Sequence, residues 1–246
     1  MVAYPNQRVA FNRCLRCELL STEEYLVSIK EKVAAHPFLK HPFLQLFSTQ
    51  NLSRAQAQKF ALFYYPHIQR TRLYQACALG VTPDENIQSV LAEILYDEYG
   101  NGNQADSHMA IYRILMRALD LTEEQISNPP ILPEQQAYID TMMRITQGQD
   151  WLAAIGVAGI AGEWPIPPYY TMLLKGLRTV PGLTDDDLQL FIEHIDLDVH
   201  HSHIVETAIL PYLDSQNNRD SLWRGIELNL NARIVQLNGL KRELFA

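Results

Sequence analysis

The segment "EHIDLDVHHSHIVE" (residues 193–206) holds four histidines, two aspartates and two glutamates in fourteen positions. Thr184 and Asp187 upstream form a helix-start signal, which predicts one long helix from there to about Tyr212. The segment is then either a solvated helix face or a run in which some side chains point inward. The angle of each side chain around this helix decides between the two interpretations.

Successive residues of a helix are rotated by about 100°, which separates the polar side chains into two sets with the same spacing. The set at the centre of the apolar face, beside Phe191 and Val205, is His194, Asp198 and His201. The set at the centre of the polar face is Asp196, His200 and His203. The first set is therefore predicted to face the core, and the second to face solvent.

Three ionisable side chains on a core-facing stripe need a chemical explanation. A buried carboxylate costs several kcal/mol unless it is paired or bound to a metal. A hydrogen-bonded Asp–His network, or an arginine paired with Asp198, would be one solution. Metal ligation is the other, and it is favoured because histidine and carboxylate together suit iron or manganese.

The same angular test finds inward-facing polar residues on two neighbouring helices. Glu98 continues the apolar stripe of a helix predicted from Pro83 to about Tyr99, whereas Glu93 and Asp97 fall about 140° and 100° away, toward the rim or solvent. His108 begins the apolar stripe of the next helix, which runs to about Leu119. Glu98 and His108 are thus expected to face the same core.

Glu163 is the only charged residue between Trp151 and Lys175, and its flanks are apolar and rich in glycine. An acid in such surroundings is either paired in the core or a metal ligand. The predicted metal ligands are Glu98, His108, Glu163, His194, Asp198 and His201. Three carboxylates and three histidines suit two metal ions, each with open positions for dioxygen.

The sequence contains three cysteines, and none belongs to this predicted ligand set. Cys14 and Cys17 form a CxxC, but no second pair of that kind exists, so an incidental pair in an N-terminal arm is the preferred interpretation. The absence of a thiolate pattern argues against a zinc-finger or iron–sulfur site. The low, odd cysteine count fits a reducing compartment.

The chain reads as helices throughout, with no period-two alternation typical of strands. Seven to nine helices are expected, with Pro66 kinking a long one and Pro83 at the first position of another. The predicted fold is all-α, a bundle around a central site. Residues 1–20 are interpreted as an N-terminal arm and residues 21–246 as one helical-bundle domain.

Composition excludes several classes of function. The 246 residues are 47% apolar and 20% charged, with a net charge of −8, which argues against nucleic acid and against an anionic membrane surface. The N-terminal residues lack the apolar core of a signal peptide, and the longest apolar run, residues 151–162, is too short to span a bilayer. A cytoplasmic location is expected.

Several segments resemble the haem-oxygenase-like di-iron oxidases and oxygenases, relatives of thiaminase II (TenA) and pyrroloquinoline-quinone synthase C, with the CADD-like proteins most similar. The resemblance rests on "HPFLQLFSTQNLSRAQAQKFALFYYPHI", "EILYDEYGNGNQADSHMAIYRIL", Glu163 in its apolar helix, and "FIEHIDLDVHHSH". It implies a haem-oxygenase-like or TenA-like bundle of seven or more helices. It also implies that two irons and dioxygen oxidise a small organic substrate, either amino-acid-like or fatty-acid-like.

The sequence departs from the CADD pattern in two places. The loop "GNGNQADS" lengthens the spacing between Glu98 and His108, and Lys175 lies about half a turn from where the CADD reaction needs a lysine. The thiaminase branch needs a cysteine where this chain has Gly162, Glu163 and Trp164. Two alternatives to an iron oxidase stay open: a metal-free small-molecule-binding or cofactorless protein of the same fold, and a CADD-like role in protein interaction.

Aromatic residues near the predicted ligands are candidates for a substrate pocket, although aromatic residues at helical spacing more often belong to the packed core. These candidates are Tyr65, Tyr112, Trp164, Tyr169 and Tyr170. Arg70 or Arg72 could hold a substrate carboxylate, but a surface ion pair is the simpler role for either. The expected partner is a small molecule, and the resemblance is compatible with a homodimer.

Overall fold

The computed structural model describes residues 20–246. Cys14, Cys17 and nearly all of the predicted N-terminal arm lie outside these residues. Every regular element from residue 20 onward is helical, in agreement with the predicted all-α class. Among these residues, no helix combines the length and the apolar character needed to cross a bilayer.

The bundle is built from α-helices that range from one turn to thirty residues. They are α1 (Thr22–Ala35), α2 (Pro42–Thr49), α3 (Arg54–Val81), α4 (Glu85–Glu98), α5 (His108–Ala118), α6 (Glu123–Ser127), α7 (Pro133–Thr146), α8 (Trp151–Ile155), α9 (Ala161–Glu163), α10 (Ile166–Leu177), α11 (Gln189–Ile209) and α12 (Gln216–Phe245). A π-helical segment, Gly156–Ile160, joins α8 to α9, and short 3₁₀ turns lie elsewhere.

Local capping chemistry explains where several helices begin. The side chains of Ser21 and Ser53 accept hydrogen bonds from the third amides of α1 and α3. The side chains of Glu24 and Gln56 accept hydrogen bonds from the backbone amides of the same two serines, which completes two capping boxes. His41 plays a similar part for α2, since its side chain accepts a hydrogen bond from the amide of Phe43. The pairing of Ser21 with Glu24 in the sequence predicts a helix that begins there and runs to about Ala35, and the structure confirms it.

The structure corrects three predicted helix boundaries. The fourth helix begins at Glu85, because Asp84 accepts hydrogen bonds from two free amides and therefore caps it, whereas Pro83 lies outside the helix. The sequence pattern predicts a last helix over roughly Asp220–Leu244, but this helix begins at Gln216, because Ser215 caps it. The helix predicted from Thr184 begins as a 3₁₀ turn and becomes α-helical only at Gln189.

More helical segments occur than the seven to nine predicted, for two reasons. Short helices such as α6 give too few residues for a periodic pattern. In addition, the apolar helix predicted to end near Ala161 is divided by the π segment and continues to Glu163. Pro66, predicted to kink a long helix, lies inside α3, which continues on both sides of it.

Glycines let α12 approach the divided helix closely. A Cβ on Gly225 would lie 2.0 Å from the carbonyl oxygen of Ala153, and one on Gly156 would lie 2.4 Å from that of Leu222. The π segment shifts the backbone register, and Asn229 of α12 donates a hydrogen bond of 2.8 Å to the carbonyl of Val157 inside it. This contact fixes the turn that carries Glu163.

The helices that carry the predicted ligands meet around α11. This helix packs against α4, α5, α9 and α10, while α12 packs along α7, α8 and the π segment on the far side. Between α4 and α5, Gly100 has a φ of 83°, a conformation that favours glycine, and the chain reverses there. The reversal brings His108 back beside Glu98, despite the long loop between them.

Candidate metal centre

The six predicted ligands all lie on the wall of one central cavity. All six are buried. Their exposed fractions are 9% for Glu98, 8% for His108, 4% for Glu163, 9% for His194, 3% for Asp198 and 2% for His201. The residues predicted on the opposite face of α11, Asp196, His200 and His203, are exposed. The helical register derived from the sequence therefore agrees with the structure.

Glu98, His108 and His194 form the first of two groups in this cavity. The Nδ1 of His108 lies 2.8 Å from Oε2 of Glu98 and 3.2 Å from Nε2 of His194. The Nδ1 of His194 lies 2.7 Å from the carbonyl oxygen of Leu190 and donates a hydrogen bond to it. This bond fixes the tautomer of His194 and leaves the lone pair of Nε2 directed toward the cavity.

Glu163, Asp198 and His201 form the second group, in which one ligand atom from each residue lies within 4.8 Å of the other two. The Nδ1 of His201 is 3.5 Å from Oε2 of Glu163 and 3.8 Å from Oδ1 of Asp198. The first group has two imidazoles and one carboxylate, and the second has one imidazole and two carboxylates. Either combination is typical of iron or manganese.

Asp97 holds His201 from outside the cavity. The Oδ2 of Asp97 lies 2.9 Å from Nε2 of His201, so the imidazole has a carboxylate partner on the side opposite Glu163 and Asp198. Metal-binding histidines usually have such a partner, which fixes the ring and raises its basicity. The sequence placed Asp97 at the rim, and the structure assigns it this contact.

The pKa values of the group reflect burial opposed by pairing. Burial and the neighbouring charge of Glu163 raise the pKa of Asp198 well above its ordinary value. Burial alone would lower the pKa of His201, but hydrogen bonds with Glu163 and Asp97 raise it to about 9. A proton on each of these groups therefore offsets the crowding of carboxylates, a task that a bound cation would also perform.

The remaining pKa values follow the same balance. Burial would raise the pKa of Glu98, yet its pairing with His108 outweighs burial and lowers the pKa to about 2. Burial and the neighbouring His108 lower the pKa of His194 to about 3. His194 is therefore neutral at physiological pH, which is the form that binds a metal.

The donor set fits iron on the evidence of these contacts. It offers three imidazole and three carboxylate ligands with no thiolate among them, and burial beside Glu163 disfavours the ionised form of Asp198, which a bound cation would stabilise. Gln75 adds a neutral contact, since its Nε2 lies 3.4 Å from Oε1 of Glu163.

The cavity has a free volume of about 50 Å³, enough for about four water-sized groups at 10–15 Å³ each. Besides the six residues, its wall includes the polar side chains of His67, Tyr74, Tyr138, Asn229 and Arg233. Apolar atoms come from residues such as Ile68 and Leu190. The space is therefore small, with both polar and apolar atoms on its wall.

Of the five aromatic residues predicted to line a pocket, only Tyr170 lies on this cavity. Tyr65 and Tyr112 stack on each other with ring centres 5.5 Å apart, and the Tyr112 hydroxyl donates to the carbonyl of Ala61. Their side chains fill the core between α3 and α5. The prediction for Tyr65 and Tyr112 is corrected accordingly.

Trp164 and Tyr169 also lie away from the cavity. Trp164 follows Glu163 and Tyr169 precedes Tyr170, and both Glu163 and Tyr170 face the cavity. Adjacent residues of a helix are rotated by about 100°, so the side chains of Trp164 and Tyr169 point in other directions. The indole Nε1 of Trp164 donates to Glu206 at 2.7 Å on the outside of the bundle. The ring of Tyr169 packs against Phe38, with ring centres 5.1 Å apart.

The basic residues are also placed differently from the prediction. Arg70 is exposed, and Arg72 lies over the ring of Tyr99, so neither reaches the cavity. Arg233, which is 2% exposed, lines it instead. The sequence carried a signal for Arg233, because it falls in the middle of the apolar stripe of Ile226, Leu230, Leu237 and Leu240. Lys175 is exposed on α10.

The family of iron-containing redox enzymes matches residues 58–234 of this chain. Similar proteins include a 4-aminobenzoate synthase from Chlamydia pneumoniae, 26% identical over 80% of this chain and 86% of the relative. A 4-aminobenzoate synthase from Chlamydia trachomatis is 30% identical over 71% of this chain and 74% of the relative. A 4-chloro-allylglycine synthase from Streptantibioticus cattleyicolor is 26% identical over 83% and 77%.

Solved structures share the fold at low sequence identity. A CADD-like protein of unknown function from Nostoc punctiforme superposes with a TM-score of 0.78 at 18% identity, covering 92% of this chain and 99% of that one. A domain with a haem oxygenase-like fold from Shewanella denitrificans has a TM-score of 0.72 at 16% identity, with 90% of each chain covered. The chain therefore belongs to the haem-oxygenase-like family of iron-containing redox enzymes.

Proposed function

We propose that the chain is a di-iron oxidase or oxygenase that uses dioxygen to oxidise a small, amino-acid-like organic substrate. The observation that carries the proposal is the convergence of six buried imidazole and carboxylate side chains, from four helical segments, on one cavity. Their division into two groups of three supports two metal ions rather than one. The names of the relatives denote small products that carry amino and carboxylate groups, which supports this substrate class.

Glu98, His108 and His194 would hold one iron, and Glu163, Asp198 and His201 would hold the other. Iron held by these residues would supply redox chemistry with dioxygen and open coordination positions. The bundle excludes water, because the ligands are at most 9% exposed. Asp97 and the Leu190 carbonyl orient His201 and His194, so that the ligand atoms face inward.

The small volume of the cavity favours the amino-acid-like substrate over the fatty-acid-like one. A long alkyl chain needs a continuous apolar tunnel, whereas this wall carries tyrosine, asparagine and arginine side chains. Because Lys175 is exposed, the proposal assigns no reaction to a lysine at that position.

Dioxygen consumption by the iron-loaded protein tests the proposal. The protein would be screened in an oxygen electrode against single amino acids and short carboxylic acids. We expect substrate-dependent consumption by the wild type and by the exposed-face variant His203→Ala, and none by Asp198→Ala. Equal substrate-dependent consumption by Asp198→Ala, or by wild type stripped of iron, would contradict the proposal.

A further inference from the structure

Arg233 is a buried cation that the proposed metal centre does not use. It lies on α12, is 2% exposed, and lines the same cavity as the six candidate ligands. Its Nη2 lies 3.3 Å from the carbonyl oxygen of Ala161, so the guanidinium lies beside the turn that carries Glu163. Arginine stays charged in proteins, so a positive charge is fixed at this end of the cavity.

The hydrogen bonds of Arg233 go to neutral groups only. Its Nε donates to Oδ1 of Asn229 at 2.9 Å, and its Nη2 donates to the Ala161 carbonyl. Its Nη1 is buried without a hydrogen-bond partner among residues 20–246. An unpaired buried donor on a charged group is costly, so the position calls for a ligand or a functional reason.

Aromatic rings hold the guanidinium in place. Its central carbon lies 5.6 Å from the ring centre of Phe38, 5.8 Å from that of Tyr138 and 5.8 Å from that of Tyr169. Such cation–π contacts stabilise the charge and prevent the side chain from turning away. Nη1 still has no hydrogen-bond partner among residues 20–246, so its donors are available for a further hydrogen bond.

Apart from Arg233, the cavity is lined by the carboxyl and imidazole groups of the six candidate ligands and by His67, whose burial lowers its pKa to about 3 and keeps it neutral. With iron bound, Glu98, Glu163 and Asp198 neutralise the metal ions, and Arg233 is left without an anion of its own. A carboxylate is the anion whose two oxygens match the donors of a guanidinium.

We propose that Arg233 binds the carboxylate of the substrate and so directs the rest of that molecule toward the metal centre. This inference rests on the proposed function, and it narrows the substrate to small carboxylic acids of amino-acid size. The free volume of about 50 Å³ excludes long chains in this conformation. Arg233 is thus a substrate-binding residue on the cavity wall, carried by α12.

Arg219 provides a matched control, because it is the other arginine on α12 that is buried. It is 4% exposed and stacks on the ring of Tyr25 at 4.9 Å. Its guanidinium donates to the backbone carbonyls of Leu213 and Leu20, at 2.7 Å each, and it does not line the cavity. Arg219→Met therefore removes a buried arginine without changing the proposed subsite.

Calorimetric titration with butanoate, compared with its neutral isostere butanamide, tests the inference. It would be run on metal-free protein and, without oxygen, on iron(II)-loaded protein. In both forms we expect wild type and Arg219→Met to bind butanoate at least about tenfold more tightly than butanamide, as one charge-assisted hydrogen bond implies. Arg233→Met should lose this preference and keep its iron content, while Arg233→Lys should keep part of the preference.

Equal binding of butanoate and butanamide by the wild type would overturn the inference, as would a butanoate preference that survives in Arg233→Met. If Arg233→Met does not fold, the comparison of wild type with Arg233→Lys tests the inference instead. A lysine retains the charge but loses the two-pronged geometry of the guanidinium, so Arg233→Lys should prefer butanoate less strongly than wild type does. The metal-free titration does not depend on iron. A protein that binds iron but not butanoate contradicts this inference alone.

Discussion

At the scale of single residues, the proposed metal centre depends on which face of α11 each histidine occupies. Two histidines adjacent in sequence, His200 and His201, have opposite surroundings: one is exposed beside Glu93 and the other is 2% exposed beside Glu163. Helical periodicity alone separates them, which is why the inward set could be predicted from the sequence. Adjacency in sequence carries no information about a shared role here.

Asp97 offers a test of how the metal centre is supported. Asp97→Ala removes the carboxylate that holds Nε2 of His201, so iron(II) affinity should fall about 10- to 100-fold without being abolished. Competition with a chelator under anaerobic conditions measures the affinity. Glu93→Ala is the matched control, because Glu93 makes the equivalent contact with the exposed His200, at 3.3 Å, on the same two helices. A loss in Glu93→Ala as large as in Asp97→Ala would contradict the assignment.

Protonation of His201 predicts that metal affinity depends on pH. The Glu163 and Asp97 carboxylates hold its pKa at about 9, so in the metal-free protein Nδ1 or Nε2 retains an extra proton throughout neutral pH. Metal binding must displace that proton and also the proton on Asp198, whose pKa is raised well above its ordinary value, so iron(II) affinity should rise by at least roughly tenfold per pH unit from pH 6 to pH 8. Chelator competition at several pH values checks the slope. A flat profile would show that no proton leaves on binding.

The sequence was insufficient to predict which buried side chains line the cavity. A side chain that points into the core does not necessarily line the cavity. Tyr65, Tyr112 and Tyr169 are fully buried, yet their rings pack against other rings. The angle of a side chain around its own helix does not say which neighbouring helix it meets. Arg233 could have been found by the same test as the histidines, since it interrupts an apolar stripe on α12.

At the scale of elements, the long helices could be predicted because capping and periodicity are local. Ser21 and Ser53 signal the starts of α1 and α3 through bonds within four residues. The π segment could not be predicted in this way, because the carbonyl of Val157 inside it and that of Ala161 just after it accept hydrogen bonds from Asn229 and Arg233 of α12, some seventy residues away. Its presence immediately before Glu163 is a tertiary effect.

The close approach of α12 to α8 gives an element-scale prediction. Gly225→Ala would place a Cβ 2.0 Å from the backbone oxygen of Ala153, so the helices must separate, and the free energy of unfolding should fall by at least about 2 kcal/mol. The displacement should also lower the iron content, because the same helical run carries Glu163. Urea denaturation and metal analysis measure the two effects.

Gly80→Ala is the control for this substitution. Gly80 is exposed inside α3, and a Cβ there meets nothing within 4 Å. Because alanine is the better helix former, Gly80→Ala should stabilise the protein by about 0.5–1 kcal/mol and leave the iron content unchanged. Equal stability changes in the two variants would contradict the close packing described for Gly225.

At the scale of the whole molecule, fold class and the location of the site were predictable, and the extent of the cavity was not. The all-α class follows from the absence of strand patterns, and the convergence of four helical segments follows from their inward-facing acids and imidazoles. The size of the cavity depends on how buried rings from α3, α7 and α10 pack, and sequence periodicity does not contain that information.

Metal binding should stabilise the whole bundle. The ligands come from α4, α5, α9 and α11 and are together only in the folded chain, so iron binds the native state alone. At a free iron(II) concentration about 100 times the dissociation constant, the free energy of unfolding should rise by about 2.7 kcal/mol. Anaerobic denaturation with and without iron(II) measures this. Asp198→Ala should show no rise, and a rise as large as that of wild type would contradict the proposed ligand set.

Iron content per chain tests the central claim most directly. Wild type and the exposed-face variant His200→Ala, reconstituted with iron(II) under reducing, oxygen-free conditions and then desalted, should each retain between one and two irons. His194→Ala and Asp198→Ala should retain well under one. Wild-type protein that retains well under one iron, or loss of iron in His200→Ala rather than in Asp198→Ala, would contradict the account.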